Sequence, residues 1–237
     1  MRRILVILVL TGIIYTAGYG QRNYLGLSFG GSLPSEEFAK TSLEEDGGYA
    51  LPGFVIEFAG AYIFDYYFGI AGTATFSSNP IDAAKFGEDL AAAIPPIDPP
   101  PAEDPVINIK VANWTYSNIM VGPTVTLPLW KFNFDLRGVA GLSFLLSPPQ
   151  EVYIQVDDEE FFQGRSNSTV NFAYMLGGGL RFNVNEFYGI RLSADYFKSK
   201  PTFKVSEGSL IDAATGKSSY EMNVGSINVN IGITYRF

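Results

Sequence analysis

The sequence predicts an all-β chain, an eight-stranded antiparallel up-and-down transmembrane β-barrel, and three observations carry that expectation. Apolar side chains recur at every second position over long segments. Short and long connections alternate along the chain. Charged residues stand mid-strand, on the face opposite the apolar one.

The alternation is clearest over 132–144, where Phe132, Phe134, Leu136, Gly138, Ala140, Leu142 and Phe144 share one parity. Asn133, Asp135, Arg137, Val139, Gly141 and Ser143 share the other. A two-residue period puts each set on one side of a pleated strand, whereas a helix would scatter both around its axis. Segments 170–182 and 227–237 repeat the pattern. Applied to the whole chain, the same reading gives strands near 22–31, 49–64, 67–77, 112–127, 131–146, 168–183, 186–198 and 219–237.

Tight turns are expected at Asp65-Tyr66, between Pro128 and Trp130, and at Val184-Asn185. The remaining connections, 32–48, 78–111, 147–167 and 199–218, are long. Membrane barrels alternate brief periplasmic turns with longer external loops. Within 78–111 a short helix over 81–93 precedes Pro95, Pro96, Pro99, Pro100, Pro101 and Pro105. That proline density disfavours helix and ladder alike and predicts a solvated, partly polyproline loop. Pro123 falls mid-strand, where it cannot donate to a ladder, and predicts a local bulge.

Strands of this length exceed the roughly 5–6 residues of ordinary strands and reach the roughly 9–11 needed to cross lipid at a tilt. Aromatics gather near the short turns (Tyr62, Phe64, Tyr66, Trp130, Tyr235) and near the long loops (Phe29, Phe54, Trp114, Tyr116, Phe172). Two such bands suit the two membrane interfaces. Glu57, Asp135, Arg137, Arg181, Arg191 and Asp195 are too costly to leave facing lipid, so they are expected in the lumen as a balanced charge network. Arg236 is expected at its periplasmic edge. Small residues of the same parity, among them Gly26, Ser28, Ala59, Gly177 and Gly179, make room for them. The interior of an eight-stranded barrel holds side chains and little else.

The first residues read as a secretory signal over 1–20. Arg2 and Arg3 precede an apolar run at 4–10, and small residues follow, with cleavage expected after Gly20 or Gly18. Without Arg2 and Arg3 the chain carries 24 acids against 14 bases, a formal charge of −10. Such a balance excludes a basic nucleic-acid face. There is no Cys and no His. Ser-His and Cys nucleophiles are therefore excluded, as are His/Cys metal sites, and neither a catalytic residue nor a cofactor is expected. Gly177-Gly178-Gly179 lies inside a strand with no helix after it, which fits packing and not a phosphate loop. Eighteen of the 24 carboxylates fall in the four long loops, with Asp157-Asp158-Glu159-Glu160 the densest run. Lacking the spaced pattern of a calcium loop, they are expected to be a solvated surface.

With these residues in view, the chain resembles the bacterial outer-membrane β-barrel family that includes OmpX-like and OmpA-like eight-stranded barrels. The most specific element is the last strand, 227–237, which alternates and ends on an aromatic. The resemblance implies that Ile233, Tyr235 and Phe237 carry the signal read by the barrel assembly machinery. The Gln at position 21 and the glycine-rich strands are also similar to barrels from Bacteroidetes, including the PorT-like group associated with secretion machinery. The expected protein is a non-enzymatic, monomeric barrel in the outer membrane, with its termini in the periplasm. It contacts lipid and lipopolysaccharide and presents acidic and proline-rich loops for a structural, adhesive or envelope-assembly role, with an envelope protein as partner. Two alternatives stand beside it: a narrow or gated pore for small solutes, and a secreted lipocalin-like carrier with its apolar residues inside.

Overall fold

A computed structural model describes residues 23–43, 46–93, 106–147, 150–156, 159–165, 168–204 and 219–237. The expected signal segment at 1–20, the loop prolines from Pro95 to Pro105 and the acids Asp157 and Asp158 lie outside the described residues. In chain order the strands are β1 (Tyr24–Ser35), β2 (Gly53–Ile63), β3 (Phe68–Asn79), β4 (Val106–Val111), β5 (Trp114–Leu129), β6 (Phe132–Leu146) and β7 (Gln150–Val156). There follow β8 (Glu159–Arg165), β9 (Ser168–Asn183), β10 (Tyr188–Ser199), β11 (Thr202–Lys204), β12 (Ser219–Glu221) and β13 (Val224–Arg236). A 3₁₀ turn, Glu36–Ala39, follows β1, and helix α1, Ala83–Ala93, follows β3.

Eight of these strands close an antiparallel barrel in the order β1-β13-β10-β9-β6-β5-β3-β2. The first and last strands seal it, with Tyr24 opposite Arg236 and Ser35 opposite Gly225. No edge of the barrel sheet is left to pair with another chain. Turns of a few residues join β2 to β3, β5 to β6 and β9 to β10, all at the end that also holds Asn23 and Phe237. Asn185 shows how such a turn is set, because its side-chain oxygen accepts from the backbone N–H of Phe187 (2.9 Å) and of Tyr188 (2.7 Å).

Three sequence expectations need correction. The long connections are not bare loops. β4, β7 and β8 form a separate three-stranded sheet, and β11 pairs with β12. Alternating β-branched residues in 106–111 and 151–156 favour a ladder locally, and that preference outweighs the nearby prolines and acids. The segment 219–237 is accordingly not one strand. β12 leaves the barrel, Met222 and Asn223 intervene, and only β13 belongs to the wall. Pro123, finally, causes no bulge. The β5–β6 register is the same before the proline (Val121 with Ala140) as after it (Thr124 with Arg137), so no residue is inserted. Only the pairing of Gly122 and Pro123 with β6 is missing, while β3 still pairs with both. Gly122 sits so close to β6 that a Cβ there would lie 2.1 Å from the Gly138 carbonyl oxygen.

The wall is apolar outside and polar inside. Leu27 (53% exposed), Leu176 (56%) and Leu192 (51%) point outward, while Glu57, Asp135, Arg181, Arg191 and Asp195 are each only 1% exposed. A carrier with an apolar lumen needs the opposite arrangement, so that alternative is set aside. Around the short-turn rim Tyr62, Phe64, Tyr66, Phe68, Trp130 and Tyr188 face outward as a girdle. At the long-loop rim Phe54 and Phe172 do the same; Phe29 faces outward at mid-strand, opposite Ile231, and not at the rim, while Trp114 and Tyr116 do not face outward. Both share the inward parity of Asn118 and Met120, and they are buried in the barrel mouth instead of forming part of an outer band.

Candidate functional site

The lumen is built in two layers. Mid-barrel, Arg137 on β6 donates from Nε and Nη2 to the two carboxylate oxygens of Asp195 on β10 (2.9 and 2.8 Å). Its Nη2 also reaches Glu57 Oε2 on β2 (2.5 Å). Glu57 accepts a further bond from Arg191 Nη1 (2.6 Å) and one from Thr73 Oγ1 (3.4 Å). β2 lies three strands away from β6 in one direction and three from β10 in the other, so this four-residue cluster spans the lumen. Nearer the short turns, Arg181 on β9 grips Asp135 on β6 with Nε and Nη2 (2.6 and 2.9 Å), and Thr126 Oγ1 adds a bond of 2.6 Å. Charge-assisted, two-point contacts of this kind are both strong and directional.

The six charged residues thus meet as a cluster of four and a separate pair, and each carboxylate holds at least one guanidinium. Arg236 does not join them; it donates to the backbone carbonyl of Asn185 at the short-turn rim. Sequence reasoning missed Tyr24. Its ring, 1% exposed, lies 3.8 Å from the Arg181 guanidinium carbon and 6.0 Å from that of Arg191. An aromatic at the inward parity of β1, beside Gly26 and Ser28, was the available signal.

Glycine placement makes the network possible. Gly177 pairs with Arg137 on one side and Asp195 on the other, so the ion pair crosses over a residue with no side chain. A Cβ at Gly177 would lie 2.1 Å from Asp195 Oδ1. Arg191 likewise faces Gly232, and Asp135 faces Gly179.

Above the charges a polar shelf gives way to an aromatic mouth. Tyr116 Oη is 3.0 Å from Ser32 Oγ and donates to Ser226 Oγ (3.1 Å), and Asn118 donates to Thr75 Oγ1 (2.7 Å). The Tyr116 ring stacks on Phe197 at 5.3 Å, and Trp114 packs against Phe203 at 5.6 Å. Phe38 of the 3₁₀ turn is inserted between these groups with no exposure, edge-on to Trp114 (5.6 Å) and Tyr116 (6.1 Å). No periodicity marked Phe38 in the sequence, because its position depends on a turn that folds back into the barrel.

Charged contacts hold that turn at the rim. Glu36 accepts from the Tyr196 hydroxyl and from Lys198 Nζ (2.9 Å), and those two bonds hold its carboxyl below its ordinary value of 4.5. Glu37 accepts from the backbone N–H of Asn223 (2.5 Å), which lowers its carboxyl likewise. Farther out, Tyr49 donates to Asp89 of α1 (2.7 Å) while its ring meets Phe86 at 5.3 Å. Lys85 and Tyr49 together lower the Asp89 carboxyl. Among the described residues no group of three or more carboxylates is placed to hold a metal ion.

At the last strand, Ile233 (64% exposed) and Tyr235 point outward, and Tyr235 stacks with Phe187 and Phe237 at 6.4 Å each. The Phe237 backbone N–H donates to the Asn23 carbonyl (3.2 Å), which ties the last residue to the residue that leads into β1.

Neither a protein-family model nor a curated protein sequence matches the chain. Solved structures similar to it include Ail, the attachment invasion locus protein of Yersinia pestis. It is 17% identical over 91% of this chain and 99% of that one, with a TM-score of 0.42. Neisserial surface protein A is 12% identical over 92% and 100%, with a TM-score of 0.42. The outer membrane protein OprG of Pseudomonas aeruginosa is 11% identical over 91% and 95%, with a TM-score of 0.47.

Proposed function

We propose that this chain is a non-enzymatic outer-membrane barrel that anchors its long-loop end at the cell surface for a structural, adhesive or envelope-assembly role. The observation that carries the reading is the inversion of the wall. Leucine, isoleucine and phenylalanine face outward around the whole barrel, and the buried charges are inside and paired. A water-soluble protein rarely exposes one continuous apolar belt, whereas hydrocarbon around a closed barrel favours it. In this reading the short turns and both chain ends face the periplasm after export through a cleaved signal. Ile233, Tyr235 and Phe237 serve the assembly machinery, outer-membrane lipid and lipopolysaccharide surround a monomeric barrel, and the loop sheet β4-β7-β8 meets an envelope partner.

The anchor reading is preferred to a pore because the Glu57–Arg137–Asp195–Arg191 cluster crosses the lumen and Phe38 fills the mouth. Two measurements test it. The protein is expected to be extracted from membranes only by detergent, and recovery in the soluble fraction would overturn the membrane reading. In planar bilayers the purified protein is expected to pass no steady current; large, sustained openings would replace the anchor with a pore.

A further inference from the structure

The turn Glu36–Ala39 fills the barrel mouth without belonging to the barrel wall. The β1–β13 ladder ends at Ser35 and Gly225. Beyond it the turn is held by the Phe38 N–H donating to the Asn223 carbonyl (3.2 Å), by the Glu37 and Phe38 carbonyls accepting from the Gly48 and Ala50 N–H groups (3.0 Å each), and by the carboxylates of Glu36 and Glu37. Each of these contacts joins the turn to strand ends or neighbouring loops, and none is a rung of the barrel. The Glu36–Lys198 pair is about 30% exposed on both sides and is therefore screened by water and salt.

The backbone here is strained as well. Four non-glycine residues with positive φ occur among the described residues: one, Glu36 (57°), opens the turn, and two, Asp46 (54°) and Tyr49 (52°), lie in the segment that follows it. Left-handed backbone without glycine persists only where the surroundings impose it, so leaving the mouth would relax it. Beneath Phe38 the mouth is packed with the rings of Trp114, Tyr116 and Phe197, and below them lie the polar side chains of Ser32, Asn79 and Ser226.

We propose that Glu36–Ala39 is a latched plug, one that withdraws Phe38 from the mouth while the barrel stays folded and so exposes the packed side chains beneath it to the long-loop end. The wall supplies a rigid frame and the two carboxylates supply the latch. Two states of one short segment, separated by a few polar contacts, are what a local opening requires.

The absence of cysteine allows a clean test. Ser226 Oγ lies beneath Tyr116 and is fully buried, so S226C is a near-isosteric reporter of access to the layer beneath Phe38. A small methanethiosulfonate reagent is added to the folded S226C protein in detergent over a range of low urea concentrations. A plug that opens locally gives a labelling rate that hardly depends on urea. Adding E36Q/E37Q, which weakens two charge-assisted bonds, raises the rate about tenfold. Adding F38A raises it further, because the mouth then stays open. A second reporter keeps the test independent of the cysteine. Trp130 is 88% exposed at the opposite end, so W130F leaves Trp114 as the single tryptophan, and its emission shifts to the red in E36Q/E37Q. Circular dichroism establishes that each variant is folded. The proposal is overturned if labelling of every folded variant follows the urea dependence of global unfolding, or if F38A leaves both the rate and the Trp114 emission unchanged.

Discussion

Arg137 is the residue on which the lumenal network turns. Its three bonds reach two carboxylates, each with a side chain no more than 1% exposed. Truncation to R137M treats the two partners differently. Glu57 keeps Arg191 at 2.6 Å and Thr73 at 3.4 Å, but Asp195 loses the guanidinium that met both its oxygens. A buried carboxylate left without its cation costs about 3–5 kcal/mol. Against typical stabilities of about 5–15 kcal/mol, that is a large share of the total. The cost should come from the orphaned charge more than from lost attraction. The double variant R137M/D195L removes the cation and the anion together, leaves Glu57 paired with Arg191, and should return to within about 1 kcal/mol of the parent. Urea unfolding in detergent, followed by tryptophan emission and extrapolated linearly to water, measures both variants, and an unchanged slope would indicate that the unfolded state is unaltered. The reasoning fails if R137M loses less than about 1 kcal/mol, or if the double variant is no more stable than the single one.

Three further expectations follow from the same geometry. G177A places a Cβ 2.1 Å from Asp195 Oδ1 and 2.6 Å from the Ala194 carbonyl oxygen, and should cost about 1–3 kcal/mol of unfolding free energy. G72A, whose nearest neighbour would be 3.9 Å away, should be nearly neutral, and equal losses would refute the close-packing argument. Leu176 is 56% exposed near the middle of β9, so L176R should cost about 2–4 kcal/mol for protein refolded into lipid vesicles. An exposed position in a water-soluble protein would tolerate it within about 0.5 kcal/mol, and that outcome would argue against the lipid-facing belt. Glu36, facing Tyr196, Lys198 and Glu37, and Glu37, facing Asn223, Lys40 and Lys200, both have folded-state carboxyl values below 4.5. Their contribution is therefore complete above that value and lost as pH falls through the lower folded-state values. The emission of Trp114 in W130F should stay constant from pH 7 to about 5 and change only below 4.5. A transition near neutral pH would mean that other groups hold the turn.

Much of the barrel was legible in the sequence because its rules are local. A pleated strand sends successive side chains to opposite faces, so parity alone separates Phe132, Phe134 and Leu136 from Asn133, Asp135 and Arg137. Connection lengths are equally plain, and from them follow the antiparallel order and the common end of the start of β1 and the end of β13. The extra strands β4 and β7 were also written in β-branched residues, but their prolines and acids pointed to loop. Which signal prevails depends on a partner strand distant in sequence, with Asn108 opposite Tyr153 and Ile109 opposite Val152 at the centre of the pairing. Trp114 and Tyr116 carried the inward parity too, yet proximity to a strand end suggested an interface band, and only a folded mouth with Phe38 in it gives them a place inside.

What the sequence by itself determined, then, is alternation: which residues share a face, where the chain turns, and that six charges must avoid the apolar side. The tertiary structure decided the meetings. Arg137 reaches Glu57 across the lumen and Asp195 two strands away, Arg181 takes Asp135, and Arg236 takes a turn carbonyl instead. Those choices depend on the stagger of neighbouring strands, which sets the height of every side chain in the closed barrel, and no local pattern encodes stagger.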